Sequence, residues 1–516
     1  MKDNKKEFLG LLCGIYMIFV MAVLPLYTGG GYYMIGDNKY YMFRNVSLFC
    51  LGVWLAAEIF FAIYYFIEQR MWRSMGKMRI KGHISLSAVD YLMLAYSVFN
   101  LLSLCLSKYR NTAFFGYRDW YMGAMSQLIF VGIYFFVSRR YDGKAYPIYS
   151  AEAALFIVII IGFANRLGMD PLSMYTGYSV NDWEYSHMLS TVGNINWLCS
   201  YIADAVPICI AGYLYCCCAS KNSGRAVKRR ILFAINALAI AFLFMHGSDA
   251  GMFLAAACIG LCLLSGRLKE YKRHFNIFFK QGLLLAGAAM FTVAVIGTVI
   301  VLRGDVKATP NDSIIQGLLG EPVWWAVSAF FFAAYFAYCC GNEKGKHIIR
   351  ALLLIIAAAT GLLVIYWYIV RLFKSDIYAY SSGRADIWLA ALEGFARAPI
   401  WQKITGAGAD CFAEYIYSLT DIALPEVTEG YWEGAIFANA HNEWLTQLIN
   451  TGIAGTAAYA GIFISAAVRY KGIFAGLLVI ILYFINSTVS FQQVMNAPMF
   501  FMLLGICESR VRSRAE

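Results

Sequence analysis

Apolar runs about as long as a bilayer-crossing helix, separated by short polar stretches, recur along almost the whole chain. About 14 of them have the length that an α-helix needs to span hydrocarbon. They lie near 8–28, 46–66, 88–106, 120–138, 148–166, 197–218, 230–246, 250–266, 282–302, 322–340, 351–371, 445–467, 473–488 and 495–508. A backbone surrounded by lipid must satisfy its own hydrogen bonds, so each run is expected to be a helix. The expected fold class is an all-α polytopic membrane protein with about 14 transmembrane helices. The first run, in MKDNKKEFLGLLCGIYMIFVMAVLPLY, has the basic start of a signal peptide. It is too long, and no small-x-small cleavage site follows it, so it reads as an uncleaved first span.

The polar stretches set orientation. RMWRSMGKMRIK (70–81), RRYDGK (139–144), KNSGRAVKRR (221–230), RLKEYKR (267–273) and RVRSR (510–514) fall on alternate loops, all on one side. The positive-inside rule makes that side cytoplasmic and places both termini there. Residues 29–45, 107–119, 167–196, 303–321 and 372–444 then form the extracytoplasmic loops. The last is the longest and carries its own pattern. SSGRADIWLAALEGFARAP has a Ser start, apolar positions at Ile387, Trp388, Ala391, Leu392 and Phe395, and a Pro stop, the signature of a short amphipathic helix. TGAGADCFAEYIYSL follows as a glycine turn and a second helix. Four regions result: N-terminal transmembrane helices at 1–110, a transmembrane core at 111–371, a large, partly helical extracytoplasmic loop at 372–444, and C-terminal helices at 445–516.

Composition agrees with this layout and removes some function classes. The chain is 60% hydrophobic and 14% charged, where soluble proteins sit near about 45–50% and about 25%. The net charge of +11 comes largely from the cytoplasmic loops and reports topology, so no nucleic-acid partner is expected. The 14 cysteines lie mostly inside apolar runs, without CxxC or Cys/His metal spacing, and behave as small apolar residues. No metal and no cofactor is expected. GAGAD (406–410) lacks the preceding strand of a dinucleotide fold and reads as a tight turn.

Polar residues gather on the extracytoplasmic side. FANAHNEWLTQLINTG (437–452) places Asn439, His441, Asn442 and Glu443 at the mouth of an apolar helix. Histidine suits proton transfer near neutral pH; the plain alternative is a helix cap. Arg384 stands in the first turn of the amphipathic helix, where a cation opposes the helix dipole. An anionic ligand would account for it, since a guanidinium grips phosphate oxygens with a planar fork. Arg303 and Arg371 end spans at the outer edge, and Arg118 lies in FFGYRDW. For these, snorkelling is the default and an anion site the alternative. Asn194 begins a span and is either a ligand amide or a cap.

The order SGRADIW, Pro-Ile, GAG, AHNEWLTQLINTGIAGTAAY resembles the superfamily of O-antigen ligases and O-antigen or capsule polymerases, with Arg384, Trp388, Pro399, Gly406, Gly408, Ala440, His441, Asn442 and Leu445 in the family's places. FFGYRDWYMG (114–123) and STVGNINWLCSYIADAVP (190–207) are similar to upstream pieces of that family. Where the family often has Ser-Arg, this chain has Ser248-Asp249. The resemblance implies a metal-independent glycosyltransferase of the bacterial inner membrane. Such an enzyme takes a glycan from an undecaprenyl diphosphate carrier and passes it to a glycan or lipid-glycan acceptor hydroxyl outside the cytoplasm. His441 and Arg384 become the catalytic candidates, with Arg303, Asn442, Glu443, Arg118 and Asn194 as diphosphate or glycan contacts. Ligase, polymerase and protein O-oligosaccharyltransferase stay open. The alternative from another class is a lipid-linked oligosaccharide transporter, although Glu58, Asp90, Glu152 and Asp204, the few acids inside spans, form no repeated pattern.

Overall fold

A computed structural model describes residues 2–74, 85–179, 182–219, 223–303, 318, 320–356, 384–419 and 436–515. The described chain is almost entirely helical; its one sheet is a two-residue antiparallel pairing of Met188–Leu189 with Gly193–Asn194. The helices are α1 (Lys2–Ile18), α2 (Ile35–Ser74), α3 (Ala88–Leu106), α4 (Arg110–Phe115), α5 (Ala124–Arg140), α6 (Tyr146–Arg166), α7 (Trp183–His187), α8 (Ile195–Cys218) and α9 (Ser223–Met245). They continue with α10 (Asp249–Leu264), α11 (Phe275–Arg303), α12 (Val323–Cys340), α13 (Arg384–Arg397), α14 (Ile400–Thr405), α15 (Phe412–Tyr417), α16 (Glu443–Tyr470), α17 (Phe474–Ser487) and α18 (Ala497–Ala515).

Among the described residues, nine helices are long and apolar enough to cross a membrane. They match nine of the expected spans. The expected spans near 120–138, 230–246, 473–488 and 495–508 are helical as well, in α5, α9, α17 and α18. These four are shorter or more polar than the nine. Most of the span expected at 351–371 lies outside the described residues, as do Arg371 and residues 372–383 and 420–435 of the large loop. The second span is longer than its apolar run suggested, because α2 extends over 40 residues.

The ends of the helices show how the bundle is held. α1 continues through a π turn at Phe19–Val23 into Leu24–Leu26, which contains Pro25 and ends at the extended Tyr27. The fully buried Lys39 donates to the carbonyls of Leu24 (2.8 Å) and Pro25 (3.2 Å), so a cation satisfies the C-terminal acceptors of α1. α3 starts with a complete capping box, Ser87 with Asp90. α18 packs on α5, α16 on α3, and α8 on α9 and α17.

One end of the bundle is tied together by charge. Glu58 pairs with Lys5 (2.9 Å) and with Arg140. Asp90 pairs with Arg139 (3.0 Å) and with Arg512. Glu508 pairs with Arg469 (2.6 Å) and Arg512 (2.9 Å). Both ends of the chain and several basic loops therefore meet at the same end, as their charge pattern leads one to expect. α16 starts at the other end and runs 28 residues to Tyr470, which separates the two ends by about 40 Å.

Candidate functional site

The site end is built on a kink. α16 is non-helical at Gly452 (φ 67°). The carbonyls just before the kink accept from the glycine turn: Ala407 N–H donates to Ile449 (2.8 Å) and Gly408 N–H to Asn450 (3.0 Å). Gly406 has φ 81°, and a Cβ there would lie 2.2 Å from the Asn450 carbonyl oxygen. Only glycine permits that approach. GAGAD is thus a tight turn, and its purpose is to lie on the kinked helix.

Asp410, at the end of that turn, fastens a second loop. Its Oδ2 accepts from the N–H groups of Tyr117 (2.7 Å) and Met122 (2.8 Å), both in FFGYRDWYMG. The side chain is buried, and burial pushes its carboxyl up to about 7 despite the two donors. The same loops meet again where Ser107 Oγ donates to the Ala407 carbonyl (2.6 Å) and Thr112 Oγ1 to Glu414 (2.6 Å).

The amphipathic helix docks on the histidine segment through tryptophan. Trp388 Nε1 donates to the Ala440 carbonyl (2.9 Å), and Ile387 and Ala391 sink into a small core with Phe412, Ile416 and Ala440. Arg384 is one helical turn from Trp388 on the same face, so this docking carries its guanidinium toward His441. His441 has φ 47°. Its N–H donates to Asn439 Oδ1 (2.9 Å), and its ring meets Phe491 edge-on with centroids 5.1 Å apart. Desolvation of the ring, with the Arg384 charge adding to it, pushes the imidazole down to about 3. At neutral pH His441 is therefore an uncharged imidazole beside a guanidinium.

The other expected site residues are placed differently. Asn442 is the N-cap of α16: its Oδ1 accepts from the N–H of Trp444 (3.0 Å) and Leu445 (3.1 Å), and its Nδ2 donates to the Thr488 carbonyl (3.0 Å). The capping alternative is the arrangement found for this residue. Glu443 points inward. It is buried, accepts from the Tyr459 hydroxyl and from Tyr483 (3.3 Å), and lines a polar cavity of about 20 Å³ with Asp410, Asn439, Gln447 and Gln492. That volume holds about one water. Arg303 is exposed and reaches the Leu167 carbonyl (3.4 Å). Arg118 is exposed beside Asp119 (3.9 Å). Asn194 caps α8, accepting from Asn196 N–H (2.8 Å). The next amide, Asn196, accepts from Ser248 (2.8 Å) and so ties STVGNIN to the Ser248 turn.

The structure thus joins His441, Arg384, Trp388 and the GAG turn, and leaves Arg303, Arg118 and Asn194 in roles of their own. Asp410 and Phe491 were not singled out from the sequence. A carboxylate directly after a glycine turn was the available signal for Asp410; Phe491 had none. Among the described residues no group of three or more His, Cys, Asp or Glu side chains is placed to hold a metal ion. No protein-family model matches the chain, and no curated protein sequence is similar to it.

Proposed function

We propose that the protein is an integral membrane glycosyltransferase with about 14 spans and both termini cytoplasmic. It moves a glycan from an undecaprenyl diphosphate carrier to an acceptor hydroxyl on the extracytoplasmic face of the bacterial inner membrane, as a surface-polysaccharide ligase or polymerase. The observation that carries this reading is the docking of Trp388 on Ala440, which sets Arg384 next to a neutral His441. A bond forms between the acceptor oxygen and the anomeric carbon, and the bond from that carbon to the diphosphate breaks. The leaving diphosphate takes the electron pair, and the acceptor proton passes to the His441 imidazole. Arg384 stabilises the charge developing on the diphosphate.

The pairing also gives order to the reaction. Desolvation, with the Arg384 charge adding to it, suppresses protonation of His441 in the empty site. A bound diphosphate offsets the Arg384 charge and raises the basicity of the ring. His441 is then a stronger base with the donor in place than in the empty site.

The test is a transfer assay with purified protein, an undecaprenyl diphosphate-linked glycan and EDTA. Wild type is expected to lengthen or transfer the glycan, and folded His441→Ala and Arg384→Ala to lose at least a hundredfold in rate. Equal rates in variants and wild type would overturn the reading. The product separates ligase from polymerase. One observation favours transport instead: Asp204 in α8 is fully buried, and neither carboxylate oxygen has a hydrogen-bond partner among the described residues. Buried acids of this kind mark ion pathways in transporters. A lipid-linked glycan flipping assay with Asp204→Asn tests it.

A further inference from the structure

The charged end of the bundle, opposite His441, holds a cavity of about 810 Å³, within the size range of ligand sites. It lies between α6, α8, α11, α17 and α18. One stripe of α18 sets its polarity. Leu503, Cys507, Arg510 and Arg514 all line it, and their spacing of four, three and four residues puts them on one helix face. Along that face the lining passes from apolar to cationic. Ile208, Ala211, Phe278 and Val479 supply further apolar wall, and Arg273 joins the rim.

The acids at the rim are answered within the fold. Glu152 pairs with Lys228 (3.4 Å), and Glu270 with Lys471 (3.6 Å). Among the described residues, Arg273, Arg510 and Arg514 make no ion pair with an acid, although Arg512 beside them makes two. An apolar crevice with three guanidinium groups at its mouth is complementary to an amphiphile with an anionic head. Inside a membrane-spanning bundle, that amphiphile is at hand in the bilayer.

We propose that this cavity binds an anionic phospholipid. The phosphate sits among Arg273, Arg510 and Arg514, and an acyl chain lies between α8, α17 and α18. Basic pockets between transmembrane helices on the cytoplasmic side suit such headgroups. A free phosphate would leave the apolar walls unused, and a zwitterionic lipid would leave the cationic mouth uncompensated. The site is a bundle length from His441 and does not depend on the transferase reading.

The experiment is native mass spectrometry of the delipidated full-length protein, titrated with phosphatidylglycerol or phosphatidylcholine. Wild type is expected to bind one phosphatidylglycerol per chain at least tenfold more tightly than phosphatidylcholine. The Arg273→Gln/Arg510→Gln/Arg514→Gln protein should lose that preference to within about twofold, and Ala211→Phe, which fills the apolar wall and keeps the charges, should weaken both lipids. Arg514→Gln alone, at an exposed position, keeps the test open if the triple variant does not fold, and should lower the preference about threefold. Equal binding of the two lipids by wild type, or a folded variant with unchanged preference, overturns the proposal. So does inorganic phosphate that displaces the lipid at matched concentration, which would make this a site for free phosphate.

Discussion

Replacing Asp410 separates a structural clamp from the chemistry beside it. Its carboxylate holds two backbone N–H groups, of Tyr117 at 2.7 Å and of Met122 at 2.8 Å. In Asp410→Ala both donors lose their acceptor, at about 1–3 kcal/mol for each one left buried. Tyr117 is only half-buried, so the loss expected is about 2–4 kcal/mol. Asp410→Asn keeps an acceptor oxygen and should lose about 1 kcal/mol or less at neutral pH. The two variants also differ from wild type in pH dependence. The folded carboxyl sits at about 7 against an ordinary 3.8, so the folded state binds its proton more tightly than the unfolded chain. That contribution is fully present below pH 3.8, is lost as pH rises through about 7, and amounts to at most about 4 kcal/mol. The assay is thermal unfolding of the purified protein from pH 4 to pH 8. The wild-type curve minus the Asp410→Asn curve should fall across that window and then flatten. A difference curve without slope would refute the shifted carboxyl, and an Asp410→Ala protein as stable as wild type would refute the clamp.

Other outcomes follow from the same geometry. Trp388→Phe keeps the packing of α13 but removes the bond to Ala440; kcat should fall ten- to a hundredfold with thermal stability lowered by only about 1 kcal/mol, as kinetics and unfolding together will show. The acid limb of kcat should lie at higher pH than that of kcat/KM, because donor binding offsets the Arg384 charge next to His441; coincident limbs in a pH-rate series would contradict that coupling. Gly406→Ala forces a Cβ against the Asn450 carbonyl and should lower the unfolding temperature and expose the 406–410 turn to protease. Glu508→Gln removes the shared partner of Arg469 and Arg512 and should destabilise by about 3 kcal/mol in denaturant titrations.

The helices were legible because length and apolarity decide them locally. α13 is the same: a Ser start, an apolar face and a Pro stop placed it without tertiary information. The two ends of the bundle could be told apart because charge sorts by side in a membrane protein. The interior of the site was less readable. Arg384 and His441 were both marked on local grounds, but what sets them together is an indole N–H and a carbonyl 52 residues apart. The glycine turn was seen as a turn, yet its reason is the kink at Gly452, a matter of two backbones in contact. Asn442 and Glu443 looked like ligands beside a histidine, but Asn442 serves the helix start and Glu443 the interior. A polar residue at a helix mouth has both uses, and only its partners decide between them.

The ion pairs at the charged end have a consequence for how the protein is made. Asp90 and Arg512 are 422 residues apart in the chain. Ribosomes add roughly 5–20 residues per second, so roughly 20–80 seconds pass between the synthesis of the aspartate and that of its second arginine. During that interval α3 is already in the membrane with Arg139 as its only available partner of the two. α18 acts as a keystone, closing the bundle once it packs on α5 and brings Arg512 to Asp90. Until α18 docks, Asp90 has only Arg139 and Arg469 lacks Glu508, a marker by which membrane proteases can tell an unclosed bundle from a closed one.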